Sequence, residues 1–431
     1  MKNLRITFLA LSRTTEMEIK SENEIDSIVN DFLMVFAKEI DYENFKININ
    51  SLQQNTEEFR TKIDDVVQKY KILEPKFNQI NSYFKDLKDN EYFFVFPNTA
   101  ISKEQCFRFF NYLSTLERNE DFEKMTKQID NLFGVLMNSY EMFVFDENTR
   151  GKIGEPDKSK RICRYCNKTN PEVSFKKVAH SISEALGNKK IITNDECDTC
   201  NEKFGTGIEN DLILYLNLYR NFFGIKGKNG IPKLKGKNFE IENNGTIDIK
   251  QILSDEEIND PNRDDFKIRL KTTQNITTQN IYKTLSKYAL GVIDREQIAN
   301  FNDTIEWING TKTIDNLPKV AMLTSYDLFS THPKLRVYLR KIKDNKLPYA
   351  VAEFRFTFLT FVYIIPNSIN DTTDFTQDEN FKHFWNFFKH YSSVPNWKFQ
   401  KMNDNTARPF VMNLNFEPKA PTKISFEQEN Q

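Results

Sequence analysis

Four cysteines in two Cys-x-x-Cys pairs constrain this chain more than any other feature. Cys163-Arg-Tyr-Cys166 and Cys197-Asp-Thr-Cys200 bracket thirty residues and a single histidine, His180. A Cys-x-x-Cys knuckle presents two thiolates from one tight turn, and two knuckles complete a tetrahedral zinc site. Redox dithiols come singly beside a strand–helix unit, so two of them is the weaker reading. With four thiolate ligands the metal is closed and structural. The residues between the knuckles suffice for a hairpin with a thin core of Val173, Phe175, Val178, Ile182, Leu186 and Ile192. After the second knuckle, Phe204, Ile208, Leu212, Tyr215, Leu216 and Tyr219 recur at helical spacing and predict one helix from Asn201 to Tyr219. The order is then knuckle, strand, His, loop, strand, knuckle, helix, and a catalytic metal belongs near His180.

This layout resembles the HNH endonucleases, the ββα-metal nucleases, in the form that carries a treble-clef zinc site. The residues behind the likeness are Cys163-x-x-Cys166, His180 at a strand end, Gly187 in a loop, Asn194, and Cys197-x-x-Cys200-Asn201 opening the helix. It covers roughly residues 153–237 and is similar to a bacterial subgroup linked to restriction and phage defence; Lys283-Thr-Leu-Ser-Lys-Tyr-Ala-Leu has the same flavour. The resemblance implies that His180 is the general base, that Asn194 steadies the loop aiming it, and that Asn201 binds a divalent cation. Many members carry Asp just before the base, where this chain has Ala179. Glu209 is the first substitute ligand, and Glu184 and Asp198 are weaker ones. The implied activity is Mg²⁺- or Mn²⁺-dependent hydrolysis of DNA phosphodiester bonds. An RNA substrate, or a zinc finger that binds nucleic acid without cutting it, are the alternatives. The residue types suit the chemistry: a histidine near its ordinary pKa accepts a proton at neutral pH. A hard cation with oxygen ligands neutralises charge on a phosphoryl group.

Charge is nearly balanced, −1 over 431 residues, but unevenly spread: residues 151–240 hold 17 Lys and Arg against 11 Asp and Glu. That +6 segment sits in a remainder of −7, which suits a polyanion met at one place. Just past the predicted helix, Lys226, Lys228, Lys233, Lys235 and Lys237 alternate with glycines, which let the backbone approach a ligand while lysines supply point charges for phosphates. Arg161, Arg164, Lys176, Lys177, Lys189 and Lys190 are further candidates. Such contacts position a protein without reading base sequence.

The remaining cysteine, Cys106, lies among phenylalanines as a small hydrophobe. Thiolate zinc sites with a spare thiol suit a reducing cytosol, and a cytoplasmic location is expected. The apolar run Phe356 to Pro366 is about half of what a bilayer span needs, and the first residues lack a cleavage site, so no membrane segment is expected. The fold expected is α+β in three parts. Residues 1–150 form a mostly helical region, with a first strand, a strand at 92–96 that pairs with 141–145, and a long helical hairpin or stalk over 51–87. Residues 151–237 form the zinc-stapled finger. Residues 238–418 form a β-rich domain with a recognition or regulatory role, and 419–431 a disordered tail. A finger with one site nicks one strand, and the long N-terminal helices motivate a homodimer. His332, His383 and His390 lack cysteine or acidic partners at ligand spacing and are expected in core or surface roles.

Overall fold

The structure, a computed structural model, describes residues 2–21, 25–41, 46–99, 101, 103–146, 149, 151–259 and 267–415. The expected tail 419–431 lies outside these residues. The chain divides into two compact units, Met1–Met137 and Asn138–Gln431. It is α+β in both, and the C-terminal region is strand-rich.

The first unit carries the expected helices, and also a four-stranded antiparallel sheet in the order Thr14–Ser21, Lys2–Ala10, Tyr92–Pro97, Leu52–Gln54. Alternation drives it: Leu4, Ile6 and Phe8 face one way and are buried, while Arg5 and Thr7 face the other. Helices Glu57–Tyr70 and Phe77–Asp86 pack on this sheet through Phe59, Ile63, Val67 and Phe84. The stretch 51–87 is thus a packed helical pair, not a stalk, and the length that motivated dimerisation is used within the unit. Tyr92–Pro97 is flanked by strands on both sides, so it has no edge to offer 141–145.

That later strand, Tyr140–Phe145, is instead an outer strand of the second unit's six-stranded antiparallel sheet, paired with Ser330–Arg340. The sheet order is Lys398–Gln400, Val320–Thr324, Leu359–Ile364, Ala350–Thr357, Ser330–Arg340, Tyr140–Phe145. The apolar run 350–365 is two strands, turned at Thr357, whose φ is +53°. Leu335, Val337, Ala352, Phe354, Phe361 and Tyr363 line the buried face. Onto it packs helix Thr278–Leu290, buried from end to end. The same core continues without a break into the cysteine segment, through Tyr165, Phe204, Leu212 and Leu216. Residues 151–237 therefore share their interior with 238–415. A smaller antiparallel sheet, Leu234–Lys235, Phe239–Asn243 and Ile247–Gln251, begins within the lysine-rich segment.

In the first unit Phe8 is fully buried, with its ring 5.2–5.8 Å from those of Phe36, Tyr83 and Phe84. Phe8→Ala leaves a cavity there and is expected to cost about 3–5 kcal/mol. Urea unfolding followed by circular dichroism should show the loss as a lower midpoint with an unchanged slope.

Candidate functional site

The four cysteine sulfurs all lie within 4.8 Å of one another, and Cys166 Sγ is 3.8 Å from Cys197 Sγ. A tetrahedron with Zn–S bonds of about 2.3 Å has edges of about 3.8 Å. The donor set and spacing therefore fit zinc, and Cys163, Cys166, Cys197 and Cys200 would hold it. Local backbone builds each knuckle. Asn167, with φ +57°, turns the chain after Cys166, and its N–H donates to the Cys163 carbonyl at 2.9 Å. Cys197 caps helix Asp198–Thr206, its sulfur accepting from the Cys200 N–H at 3.4 Å. The Cys200 thiol pulls the Cys163 thiol down to about 5; burial opposes this, and N–H groups of Cys197, Tyr165 and Cys166 add to it. One thiolate is thus favoured before any cation binds.

A buried ion pair ties the knuckles from within. Arg164 Nε donates to Asp195 Oδ1 at 2.8 Å and Nη2 lies 2.7 Å from the same oxygen, both side chains fully buried. Gly154 leaves room for this pair, since a Cβ there would lie 2.5 Å from Asp195 Oδ1, at a φ of +88°. Arg164 is accordingly no phosphate ligand. Arg161, also buried, donates to the Glu155 and Pro156 carbonyls.

His180 sits on a short antiparallel pairing with the strand Ile191–Thr193: the Ser181 N–H donates to the Ile191 carbonyl at 3.1 Å, the Thr193 N–H to Ala179 at 2.9 Å. Alternation turns Ala179 and Ser181 inward and leaves Val178 and His180 on the outer face. Val178 is 57% exposed and Ile192, paired with His180, is half-buried, so neither belongs to the hairpin core; Ile191 is buried in it instead. The imidazole is half-buried. Burial pushes its pKa below 6.5, and Lys287 adds to the push, while Glu184 and Glu209 pull it up. The loop to the next strand turns at Gly187, φ +89°, and is braced by Asn188. The Asn188 amide donates to the Ile182 and Ile191 carbonyls at 2.8 and 3.1 Å, and its oxygen accepts from the Lys190 and Ile191 N–H groups. Asn194, expected to steady this loop, is buried, and its main-chain N–H donates to the Ile153 carbonyl at 2.7 Å. The bracing bonds to the loop belong to Asn188, a residue the motif spacing passed over.

The helix after the second knuckle is two helices, Asp198–Thr206 and Ile208–Phe222, broken at Gly207. Gly207 has ψ −106°, and a Cβ there would meet the Lys203 carbonyl at 2.8 Å. Asn201 is half-buried in the first helix and Glu209 buried at the start of the second. Glu209 gives Oε1 to the Lys287 ammonium at 2.9 Å, a partner the sequence did not reveal. Asp198, a weaker metal candidate, is taken up by Ser174 Oγ and the N–H groups of Lys176 and Lys177. Among the described residues the four cysteines are the one cluster placed for a metal by protein ligands alone. His390 packs on Tyr338 and Tyr391, in line with its expected core role.

The five lysines of the glycine-rich segment are exposed, but two are paired across strands: Lys233 with Glu242, and Lys235 with Glu240 at 2.7 Å. Lys177 likewise pairs with Glu202 at 2.9 Å. Exposed cationic surface beside the finger is left at Lys176, Lys189, Lys226, Lys228 and Lys237.

Structural zinc sites contribute folding energy directly. Cys163→Ser is expected to lose the bound zinc and the cooperative melt of the second unit, as read by metal analysis and thermal circular dichroism. Retention of both would remove the zinc assignment.

No helix among the described residues is long and apolar enough to cross a membrane. No curated protein and no solved structure matches the chain. A family match covers the site itself, with His180, Asn194, Asn201, Glu209 and all four cysteines inside it and Lys287 outside. Residues 163–216 match the HNH endonuclease family.

Proposed function

We propose that the protein is a metal-dependent HNH endonuclease that hydrolyses DNA phosphodiester bonds. One observation carries the reading: within the family match, His180 stands half-exposed on the outer face of a hairpin whose two ends are pinned by four cysteines. A pinned strand gives the imidazole a fixed direction, which is what a general base needs. Its depressed pKa keeps the ring neutral and able to take the proton of an attacking water. Asn201 and the Glu209 oxygen not engaged by Lys287 are the groups we assign to a Mg²⁺ or Mn²⁺ ion. Such an ion would neutralise charge on the phosphoryl group and at the leaving 3′ oxygen. Lys226, Lys228 and Lys237 would hold the backbone nearby, with Lys176 and Lys189 closer to the hairpin. Restriction of foreign DNA in the cytoplasm is the role we assign, on the likeness to the defence-associated subgroup.

A second reading has its own observation. Ala179 is buried where many HNH members carry a metal-binding Asp, and Glu209 is partly committed to a lysine. A finger so altered would bind nucleic acid without cutting it. Plasmid nicking in Mg²⁺ or Mn²⁺ separates the two. The nuclease reading expects the wild type to nick and His180→Ala to lose at least about a hundredfold in rate, the lower range for a missing general base. Equal cutting by both proteins, or none by either, would sink it.

The pH profile follows from the imidazole. A base with a depressed pKa is more than half unprotonated at pH 6.5, so the acid limb of kcat/KM should have its midpoint below the ordinary histidine value of 6.5. A midpoint above that value would count against His180 as the base. Phosphate contact is tested by salt: each of Lys226, Lys228 and Lys237 replaced by Ala should flatten the slope of log K against log salt by about 0.9. An unchanged slope would place these lysines off the DNA.

A further inference from the structure

Helix Thr278–Leu290 lies outside the family match, yet it and its flanking residues are bonded to the first knuckle, to the strand beside His180 and to the Glu209 helix. At its start, the Thr277 N–H and Asn280 Nδ2 donate to Asp211 Oδ2 at 3.0 and 2.8 Å, on the Glu209 helix. Past its end, the Leu290 carbonyl accepts from Arg164 of the first knuckle at 2.6 Å. The Gly291 carbonyl accepts from Thr193 Oγ1 at 3.1 Å, and Thr193 in turn bonds Ser181 Oγ at 2.7 Å, next to His180. Between these ties Lys287 projects inward. Its Nζ is 3.0 Å from Glu196 Oε2 and 2.9 Å from Glu209 Oε1, with the rings of Tyr165 and Phe204 within 6 Å.

Such a group is not explained by stability. Removing an ammonium from water costs several kcal/mol, and a well-packed apolar replacement is commonly as stable or more so. What the arrangement supplies is direction. Lys287 and Glu196 side chains are 0% exposed, whereas Glu209 is 8% exposed, so the triad opens to the surface only at Glu209. The ammonium thus holds, at Oε1, the one member of the triad that solvent reaches. We propose that Lys287 is a positioning residue of the nuclease site, supplied by a helix beyond the HNH segment, which fixes the direction of the Glu209 carboxylate. Both Lys287 and Glu209 are close enough to act on the charge of the His180 ring. The inference rests on the nuclease reading and on the part given to Glu209 in it.

Plasmid nicking by the full chain tests it. Lys287→Met keeps length and loses charge; kcat should fall about 10- to 100-fold, the usual loss when a residue supporting a ligand is removed. KM for DNA should stay within about twofold, because the phosphate-binding surface is untouched. Zinc content should remain that of the wild type. Lys287→Met leaves two buried carboxylates without their cation and can lose its fold on that account. The double variant Lys287→Met with Glu196→Gln relieves this, because it removes the fully buried carboxylate together with the ammonium. A kcat that stays low in the folded double variant supports the assignment. Wild-type kcat in either variant overturns it, since Lys287 would then only compensate Glu196. A wild type that itself fails to nick, under conditions where a control HNH enzyme cuts, strikes the nuclease reading instead.

Discussion

The convergence of four sulfurs on one point is the constraint from which the functional half of this protein follows. The finger has few large apolar residues of its own between the knuckles, so its two ends would otherwise separate at little cost. Closing a thirty-residue span at a single cation removes much of that freedom from the unfolded chain. The Arg164–Asp195 pair links the first knuckle to the residue two before Cys197, with both side chains out of water and Arg164 also donating to the Leu290 carbonyl. His180 then hangs from a strand with little choice of where to point.

The second unit adds a different kind of support. Its six-stranded sheet buries one face against helix Thr278–Leu290, and that helix presents its polar groups to the finger. Tyr165 donates to the Lys287 carbonyl at 3.1 Å, and Asn309 donates to the Tyr165 carbonyl at 2.8 Å, so the first knuckle is held by two helices of the larger unit. Packing on a sheet sets position to within the fit of side chains, and hydrogen bonds at the rim set orientation.

Sequence patterns reached the site in parts. The cysteines, His180 and the strand order around them were legible because ligand spacing and alternation are local properties. The break at Gly207 was not, because Phe204, Ile208 and Leu212 keep helical spacing across it, and the clash of a Cβ with the Lys203 carbonyl appears only in three dimensions. Asn188 was not singled out, because motif spacing alone does not say which side chain between the knuckles turns back onto the loop. Lys287 lies 78 residues beyond Glu209 in the chain, out of reach of any local pattern. In the first unit, strand Tyr92–Pro97 was found but its partners were not, since pairing depends on which edges are already filled. The basic character of 151–240 was correctly counted, yet burial of Arg161 and Arg164 and pairing of Lys233 and Lys235 remove much of it from the surface.

The unbroken core beneath the finger has a consequence for how such a chain can be divided. Phe204, Leu212 and Leu216 are covered by residues that arrive after 280, among them Tyr282 and Leu285. A cassette cut at residue 237 would present that underside to water as an apolar patch, the kind of surface that drives association. The segment that matches the HNH family is therefore no portable module, because its floor comes from residues beyond it.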